Sequence, residues 1–312
     1  MRMPFCMIML AALLAYQSAA GARDIFVSNL KGDDRAAGHQ ATASQDLRGP
    51  THSIGRALRL AAQGDRIVIE NTGEPYRESI SLVGSANSGY SFQRFVVEGN
   101  GAVLDGSAAV PPDAWENDRG PVFRFAPPHL GHQQLFLDGR PLPRVVADTW
   151  ADRPPALEPL EWCLYDGHIY FCVEPQKLPE DYPIFYAHHR TGITLFHVAR
   201  ATIADLTVQG FQLDGVHAHN SAQDVVLQRC TCRGNGRSGV AVGGASRIDL
   251  TDCLIGNNGD AQLLSLPWSE THLRNSQLLG NTAAGWVDRG GQVVLEGNLI
   301  RGGLKEHLPG EP

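Results

Sequence analysis

The pattern of apolar and polar positions repeats in the second half of the chain. Five segments share one order of residues: an aliphatic residue, a small or polar residue three places later, and an apolar residue two places after that. They begin at Ile203, Leu227, Leu250, Leu273 and Leu295, so the intervals are 24, 23, 23 and 22 residues. A fixed period of this length, rich in Gly and Asn, is typical of a solenoid. No Ala- and Leu-rich helical pattern occurs within the unit, so the repeating elements are predicted to be strands.

A turn and a second short strand complete each unit. The turn residue is Asn at Asn235, Asn258 and Asn281, and a strand begins four residues later in each case. Side chains alternate between the two faces of a strand, so one residue in two stacks on its counterparts in the other units. The stacked set is Val216, Val240, Leu263 and Trp286. Parallel stacking at about 4.8 Å turns like positions into ladders, which predicts a parallel β-helix.

These rungs resemble the right-handed parallel β-helix proteins of the pectate-lyase-like superfamily, over nearly the whole chain after residue 22. The resemblance implies an all-β, right-handed solenoid. Members of the superfamily are mostly secreted polysaccharide lyases, hydrolases and epimerases, so it also implies a carbohydrate-active protein. The resemblance is specific for the fold and weak for the activity, because one fold hosts several chemistries and some non-enzymes.

Residues 1–22 have the features of a secretory signal. Arg2 is positive, Phe5 to Ala15 is apolar, and Ala20-Gly21-Ala22 is a small-residue cleavage pattern. The apolar run is too short to span a bilayer, and no later segment could do so. The protein is therefore expected to be secreted or periplasmic.

Residues 23–109 are predicted to form an N-terminal cap and the first rungs. Ile54, Ala57 and Leu58 recur at helical spacing behind Thr51 or Ser53 as N-cap, which indicates a short amphipathic helix over the open end of the solenoid. The charged residues Arg77, Glu78 and Asp105 are best explained as solvated turn residues.

Residues 110–181 lose the period and are dense in Pro, which indicates an inserted antiparallel β module. Within it, Cys163 and Cys172 flank a hairpin with a turn around Asp166-Gly167, and export would permit a disulfide between them. Trp115 and Trp150 of this module could shape a carbohydrate site, whereas Trp162 is expected in the core. The main rungs then occupy 182–303, and 304–312 is a tail.

Charge and cysteine use narrow the classes of function. The chain has a formal net charge of −7, which argues against nucleic acid as a partner. Cys230, Cys232 and Cys253 occupy ladder positions, where buried small hydrophobes are expected rather than a metal site or nucleophile. The expected partner is a polysaccharide, and the oligomeric state stays open.

The candidate chemistry lies on the outward rows of the strands that follow the Asn turn. One row is Thr194, His217, Ala241, Leu264 and Val287, and the next is Phe196, His219, Gly243, Leu266 and Arg289. A lyase or epimerase acting on a uronic acid needs a cation for the carboxylate, a base and an acid. The sequence predicts His217, His219 and Arg237 as catalytic residues, with Tyr186 as an alternative acid. It predicts Asp214, Phe196 and Arg289 as substrate-binding residues.

Two other functional classes stay open. A glycoside hydrolase needs two carboxyl groups, for which the candidates are Asp214, Asp260 and Asp288, although Asp288 is assigned to an inward row and Asp260 aligns with Arg237 as a possible ladder ion pair. A non-catalytic glycan-binding module would have no convergent polar cluster. No cofactor is expected, and calcium is not supported because the outward rows lack an acidic cluster.

Overall fold

The computed structural model describes residues 22–129, 131–148, 150–280, 282–296 and 298–300. Its N-terminal elements are β1 (Asp24–Val27), α1 (Ile54–Leu60), β2 (Arg66–Ile69), β3 (Ile80–Val83) and β4 (Phe95–Asp105). The predicted signal at 1–22 lies outside the described residues except for residue 22. No helix among the described residues is long and apolar enough to cross a membrane.

The predicted helical cap is confirmed. Helix α1 begins after Ser53, whose hydroxyl accepts a hydrogen bond from the Arg56 amide, as an N-cap side chain does. The helix buries Ile54, Ala57 and Leu58 and packs against the first strands. The carboxylate of Glu78 accepts hydrogen bonds from two backbone amides at the start of the helix, so its assignment as a solvated turn residue was wrong.

An antiparallel module follows the first rungs, as predicted. Its strands are β5 (Ser107–Ala109), β6 (Glu116–Arg119), β7 (Val122–Phe125), β8 (Leu135–Leu137), β9 (Arg140–Pro141), β10 (Trp162–Tyr165), β11 (His168–Cys172) and β12 (Ile184–Ala187). They form two four-stranded sheets, in the orders β10-β11-β7-β6 and β5-β12-β8-β9. Because β5 pairs with β12, antiparallel pairing extends beyond 110–181 on both sides. Trp162 is fully buried in this module, as expected.

The hairpin of the module turns at Asp166-Gly167, where both residues have positive φ, the requirement of a tight type I′ turn. This register places Cys163 opposite Tyr170, while the amide of Cys172 donates to Glu161. The two cysteines are therefore diagonal rather than opposite neighbours, and both thiols are free. Burial raises the pKa of the Cys163 thiol to about 11.

The main rungs follow the module. Their strands are β13 (Ile193–Phe196), β14 (Ala199–Gln209), β15 (Asp214–His219), β16 (Gln223–Gln228), β17 (Thr231–Arg233), β18 (Ser238–Val242), β19 (Arg247–Thr251), β20 (Leu254–Gly256), β21 (Ala261–Ser265), β22 (Glu270–Arg274), β23 (Gln277–Leu278), β24 (Ala284–Asp288), β25 (Gln292–Leu295) and β26 (Asn298–Ile300). They belong to two long sheets. Sheet A has twelve strands, and sheet B has six in the order β24-β21-β18-β15-β13-β3.

Side chains inside the β-helix stack in the predicted ladders. Val216 pairs with Val240, Val240 with Leu263 and Leu263 with Trp286, and all four side chains are buried. Each large apolar side chain buried in this way contributes about 1.5–3 kcal/mol. The three ladder cysteines, Cys230, Cys232 and Cys253, are buried and free, as expected.

The Asn turns form a buried ladder of their own. The side-chain amide of Asn235 donates to Asn258 Oδ1 at 3.0 Å, and that of Asn258 donates to Gln262 Oε1 at 2.8 Å. Both asparagines are fully buried, so these bonds satisfy groups that water cannot reach. The predicted third member, Asn281, lies outside the described residues.

The fifth repeat continues the parallel ladder only at its first position, where Leu295 of β25 pairs with Leu273 of β22. Contrary to the sequence pattern, the next strand, β26, pairs antiparallel with β25, with Ile300 opposite Val293. This pairing covers the edge of β25 that a further parallel strand would otherwise occupy. The tail at 304–312 lies outside the described residues.

Candidate active site and substrate groove

Sheet B places the two predicted histidines on its outer face. The register pairs Thr194 with His217 and His217 with Ala241, and it pairs Phe196 with His219. Both imidazoles are partly exposed, and their ring centroids lie 4.9 Å apart. The structure therefore brings His217 and His219 together as the alternation predicted.

Asp214 lies at the start of the same strand, and its carboxylate is fully buried. It accepts hydrogen bonds from Arg237 Nε at 3.0 Å, Arg237 Nη2 at 2.5 Å and the Ser238 hydroxyl at 2.6 Å. His217 Nδ1 lies 3.5 Å from Asp214 Oδ2, the oxygen that also accepts from Arg237 Nη2. A buried carboxylate cannot contact a sugar directly, so Asp214 orients Arg237 and His217 instead.

The same contacts determine the protonation of this cluster. Burial lowers the pKa of His217, the Asp214 carboxylate acts in the opposite direction, and His219 and Arg237 lower it further. The hydrogen bond to Asp214 raises the pKa of Arg237. His217 is therefore favoured as a neutral imidazole, which is the form that accepts a proton. The ion pair of Arg237 is made to Asp214 in the preceding rung, and not to Asp260 in the next one.

The remaining predicted residues spread along the outer face. The Phe196 ring contacts His219 at 5.2 Å between centroids, whereas Arg289 is exposed three rungs further on. Gly243 and Leu266 occupy the row between them, while Ala241 and Leu264 of the adjacent His217 row are buried in a small apolar cluster. Tyr186 lies in the inserted module, where its hydroxyl pairs with His188 Nδ1 at 2.9 Å. Asp288 is exposed, because its strand ends there and its carboxylate accepts the Gly290 amide; its inward assignment was wrong.

A groove that the sequence did not reveal lies between the inserted module and the Asn turns. Its volume is about 750 Å³, within the range of small-molecule and oligosaccharide sites. The wall contributed by the module runs from Gln134 to Val146 and includes Arg140 and Arg144. The hairpin packs so closely that a Cβ at Gly234 would lie 3.0 Å from the Phe136 ring, so this turn, which also has positive φ, requires glycine. We call this space the module groove.

The floor of the module groove carries a ladder of polar side chains on successive strands. The Gln209 amide donates to Asp105 Oδ2 at 3.2 Å, and Arg233 Nε donates to Gln209 Oε1 at 2.9 Å. Asp105 is nearly buried, so its assignment as a solvated turn residue was wrong. A smaller cavity of about 100 Å³, lined by Asp105 and Arg77, adjoins the groove and shares Gln209 with it.

A second imidazole–carboxylate pair lies at the edge of the module groove. His132 Nδ1 is 2.9 Å from Asp260 Oδ2, and both side chains are partly exposed. The His132 hydrogen bond lowers the pKa of Asp260, burial opposes it, and the charges of Arg144 and Arg237 add to the lowering. Asp260 thus lies between the arginines of the module groove and the buried cluster at Asp214. The sequence did not predict this pair, because His132 is distant in sequence from Asp260 and belongs to the aperiodic module.

The arginines of the module groove are available to a ligand. Among the described residues, no carboxylate forms an ion pair with Arg140, Arg144 or Arg233. Arg144 packs over the Trp162 ring at 5.3 Å, which fixes its guanidinium at the groove wall. In the part of the chain that the structure describes, no group of three His, Cys, Asp or Glu side chains could hold a metal ion.

Residues 187–306 match the family model for the right-handed β-helix region. The chain is a right-handed parallel β-helix protein. No curated protein sequence matches the chain significantly.

Solved β-helix proteins are similar to this one in fold. A glycoside hydrolase superposes with a TM-score of 0.60 at 12% identity, covering 88% of this chain and 77% of the hydrolase. XylC in complex with xylose gives a TM-score of 0.43 at 11% identity, covering 87% and 65% of the two chains. Pectate lyase Pel9A gives 0.43 at 12%, covering 88% and 62%, so this β-helix protein spans about two thirds or less of these last two proteins. At 12% identity, the likeness to the glycoside hydrolase shows the fold alone.

Proposed function

We propose that this β-helix protein is carbohydrate-active and binds an acidic polysaccharide in the module groove, acting on it as a lyase or epimerase. The observation that carries the proposal is the set of three arginines without ion pairs, Arg140, Arg144 and Arg233, in the groove of a chain with net charge −7. Positive side chains facing a groove concentrate anions there, and guanidinium binds carboxylate at two points.

The chemistry follows from the pair at the groove edge. An arginine that binds the carboxylate of a uronate stabilises the negative charge that develops when the neighbouring C5 proton is removed. His132 is the proposed base at this edge, with Asp260 on Nδ1 leaving Nε2 to accept the proton. In a lyase the C4–O bond then breaks and a C4=C5 double bond forms. In an epimerase the proton returns to the opposite face of C5.

His217, His219 and Arg237 are the second proposed catalytic group. They are supported by the neutral form that burial favours at His217 and by its contact with the buried Asp214. Arg237 already donates to Asp214 through both Nε and Nη2, so less of its guanidinium is left to bind a substrate. We therefore favour His132 as the base.

A glycoside hydrolase is the second candidate function. Its support is the presence of two carboxylates, Asp260 in the module groove and Asp105 in the adjoining cavity. Hydrolysis by a pair of carboxyl groups needs one as acid and the other as base or nucleophile. The carboxylate of Asp105 accepts a hydrogen bond from the Gln209 side-chain amide.

A panel of acidic polysaccharides tests the proposal. A lyase produces new reducing ends together with the ultraviolet absorbance of the unsaturated uronate, and an epimerase changes the sugar composition without either. New reducing ends without the absorbance identify the hydrolase instead. Binding that Arg144→Ala weakens, with no reaction, leaves a glycan-binding module and overturns the enzymatic part. If the wild type binds none of the polysaccharides, the whole proposal is wrong.

A further inference from the structure

Each described turn from sheet B into sheet A contains a residue in the left-handed region. The set is Gly84, His197, Ser221, Ala245, Trp268 and Gly290, with φ between 53° and 103°, and Ser221 and Ala245 each follow a second residue with positive φ. Small residues suit this position because Cβ crowds the following carbonyl when φ is positive. Two members of the set are aromatic, His197 and Trp268, and Trp268, with φ of 66°, has the bulkiest side chain at a position that favours glycine.

The indole of Trp268 lies outside the hydrophobic clusters of the described residues. It is 85% exposed, and it makes no aromatic contact or hydrogen bond with any residue in the described ranges. Trp268 lowers the stability of the fold in two ways, through the positive φ of its backbone and through the exposure of its apolar ring to water. Such a feature persists where the ring serves a ligand.

Arg289 lies on the next rung, directly before Gly290, which is the left-handed residue of the corresponding turn. The register pairs Ser265 with Asp288, so Arg289 follows directly beside Leu266 at the spacing of adjacent strands, about 4.8 Å. Its guanidinium is exposed and forms no ion pair within the part of the chain that the structure describes.

We infer that Trp268 and Arg289 form an accessory contact surface for an acidic glycan. The indole would stack on the apolar face of a sugar ring, and Arg289 would bind a carboxylate or sulfate of the same chain. One ring and one cation make too small an apolar patch for a stable protein interface, which buries at least about 1,000 Å². This inference rests on the proposed function, because the glycan is the one that the module groove would accept.

The surface is separate from the module groove. The groove lies at the turn before β21, at Asn258 to Asp260, and Trp268 lies beyond the other end of that strand. Five residues of strand span roughly 16 Å. A long polysaccharide can therefore contact both places, whereas a short oligosaccharide occupies the groove alone. The accessory surface should raise the affinity for polymer and leave the turnover of short substrates unchanged.

The test compares Trp268→Ala and Arg289→Ala with two controls. The first control, Phe92→Ala, removes an exposed ring that stacks on Tyr90 near the N-terminal end of the β-helix. The second control, Arg144→Ala, impairs the module groove. The ligand is the acidic polysaccharide that the wild type binds best in the panel, and a short oligosaccharide prepared from it. We expect Trp268→Ala and Arg289→Ala each to weaken polymer binding about tenfold with unchanged binding of the oligosaccharide. Phe92→Ala should match the wild type.

The outcomes separate this inference from the proposed function. If the wild type and both accessory variants bind polymer equally while Arg144→Ala weakens binding, only the inference about Trp268 and Arg289 is wrong. If the wild type binds no acidic polysaccharide, the proposed function fails and the inference falls with it. Trp268→Gly removes the ring and suits the left-handed turn, so its thermal midpoint should not fall. Weaker polymer binding by this variant would thus exclude unfolding as the cause.

Discussion

The guanidinium of Arg237 is joined to the carboxylate of Asp214 across two neighbouring rungs, with Nε–Oδ1 at 3.0 Å and Nη2–Oδ2 at 2.5 Å. Asp214 is fully buried and Arg237 is 26% exposed. Two hydrogen bonds in this geometry fix the arginine, and His217 Nδ1 lies 3.5 Å from the same Oδ2 atom that Arg237 Nη2 contacts. The pair therefore organises one end of the outer face of sheet B.

Asp214→Asn should destabilise the protein by about 3 kcal/mol, because it leaves a largely buried arginine without its countercharge. The free energy of unfolding, from urea titration, measures this. The matched control is Asp205→Asn, which breaks an exposed pair with Arg229 and should cost less than about 1 kcal/mol. Equal losses for the two variants would show that the buried pair contributes no more than a surface one.

Acidification should destabilise the protein through His217. Its folded pKa is lowered by burial, while the unfolded value is about 6.5. The unfolded chain therefore binds more protons below neutrality, and stability falls as the pH drops through about 6.5. Urea titrations between neutral and mildly acidic pH measure the slope. His217→Gln should reduce this slope without abolishing it, because burial also lowers the pKa of His189. An unchanged slope in the variant would contradict the prediction.

Asn258→Ala should cost about 2–4 kcal/mol, since it removes the acceptor of the Asn235 backbone amide and of one Asn235 side-chain N–H, and the donor to the carbonyls of Cys232 and Gly256. Asn117→Ala is the control, because Asn117 makes one exposed hydrogen bond to Gly120 and should cost well below about 1 kcal/mol. Differential scanning calorimetry of both variants provides the comparison. A small loss for Asn258→Ala would mean that water replaces the ladder.

Arg233→Ala should weaken binding of an acidic polysaccharide and reduce its dependence on salt, because one cation leaves the module groove. Affinity measured at two ionic strengths tests both effects. The control Arg35→Ala removes an arginine of the N-terminal region that pairs with Asp33 and does not line the groove. Loss of affinity in both variants alike would indicate attraction by charge in general rather than a site.

Single and double histidine variants decide which imidazole acts as the base. His132→Gln should lower turnover by at least about a hundredfold with little change in substrate affinity, as loss of a general base does. The His217→Ala, His219→Ala double variant should keep most of its turnover if His132 is the base. The opposite result would move the catalytic centre to the outer face of sheet B.

The sequence repeat alone was enough to predict the solenoid. In a parallel ladder, position i of one rung is the neighbour of position i in the next rung. The inward stack at Val240, the outward row at His217 and the buried cysteines follow from that spacing and from alternation alone. The start of helix α1 and the hairpin turn at Asp166-Gly167 were also predictable, because each depends on only a few adjacent residues. The structure then chose Ser53 over Thr51 as the N-cap.

Contacts between distant segments needed the tertiary structure. The inserted module has no period, so nothing in its sequence tells where its hairpin packs or that His132 meets Asp260. The burial of Asp105 and Asp214 and the choice of Arg237 between two carboxylates depend on which groups surround them in space. The reversal of β26, which pairs antiparallel with β25, is likewise a contact that the repeat spacing does not specify. A repeating sequence specifies its neighbours by spacing, whereas an aperiodic segment acquires them only when the chain has folded.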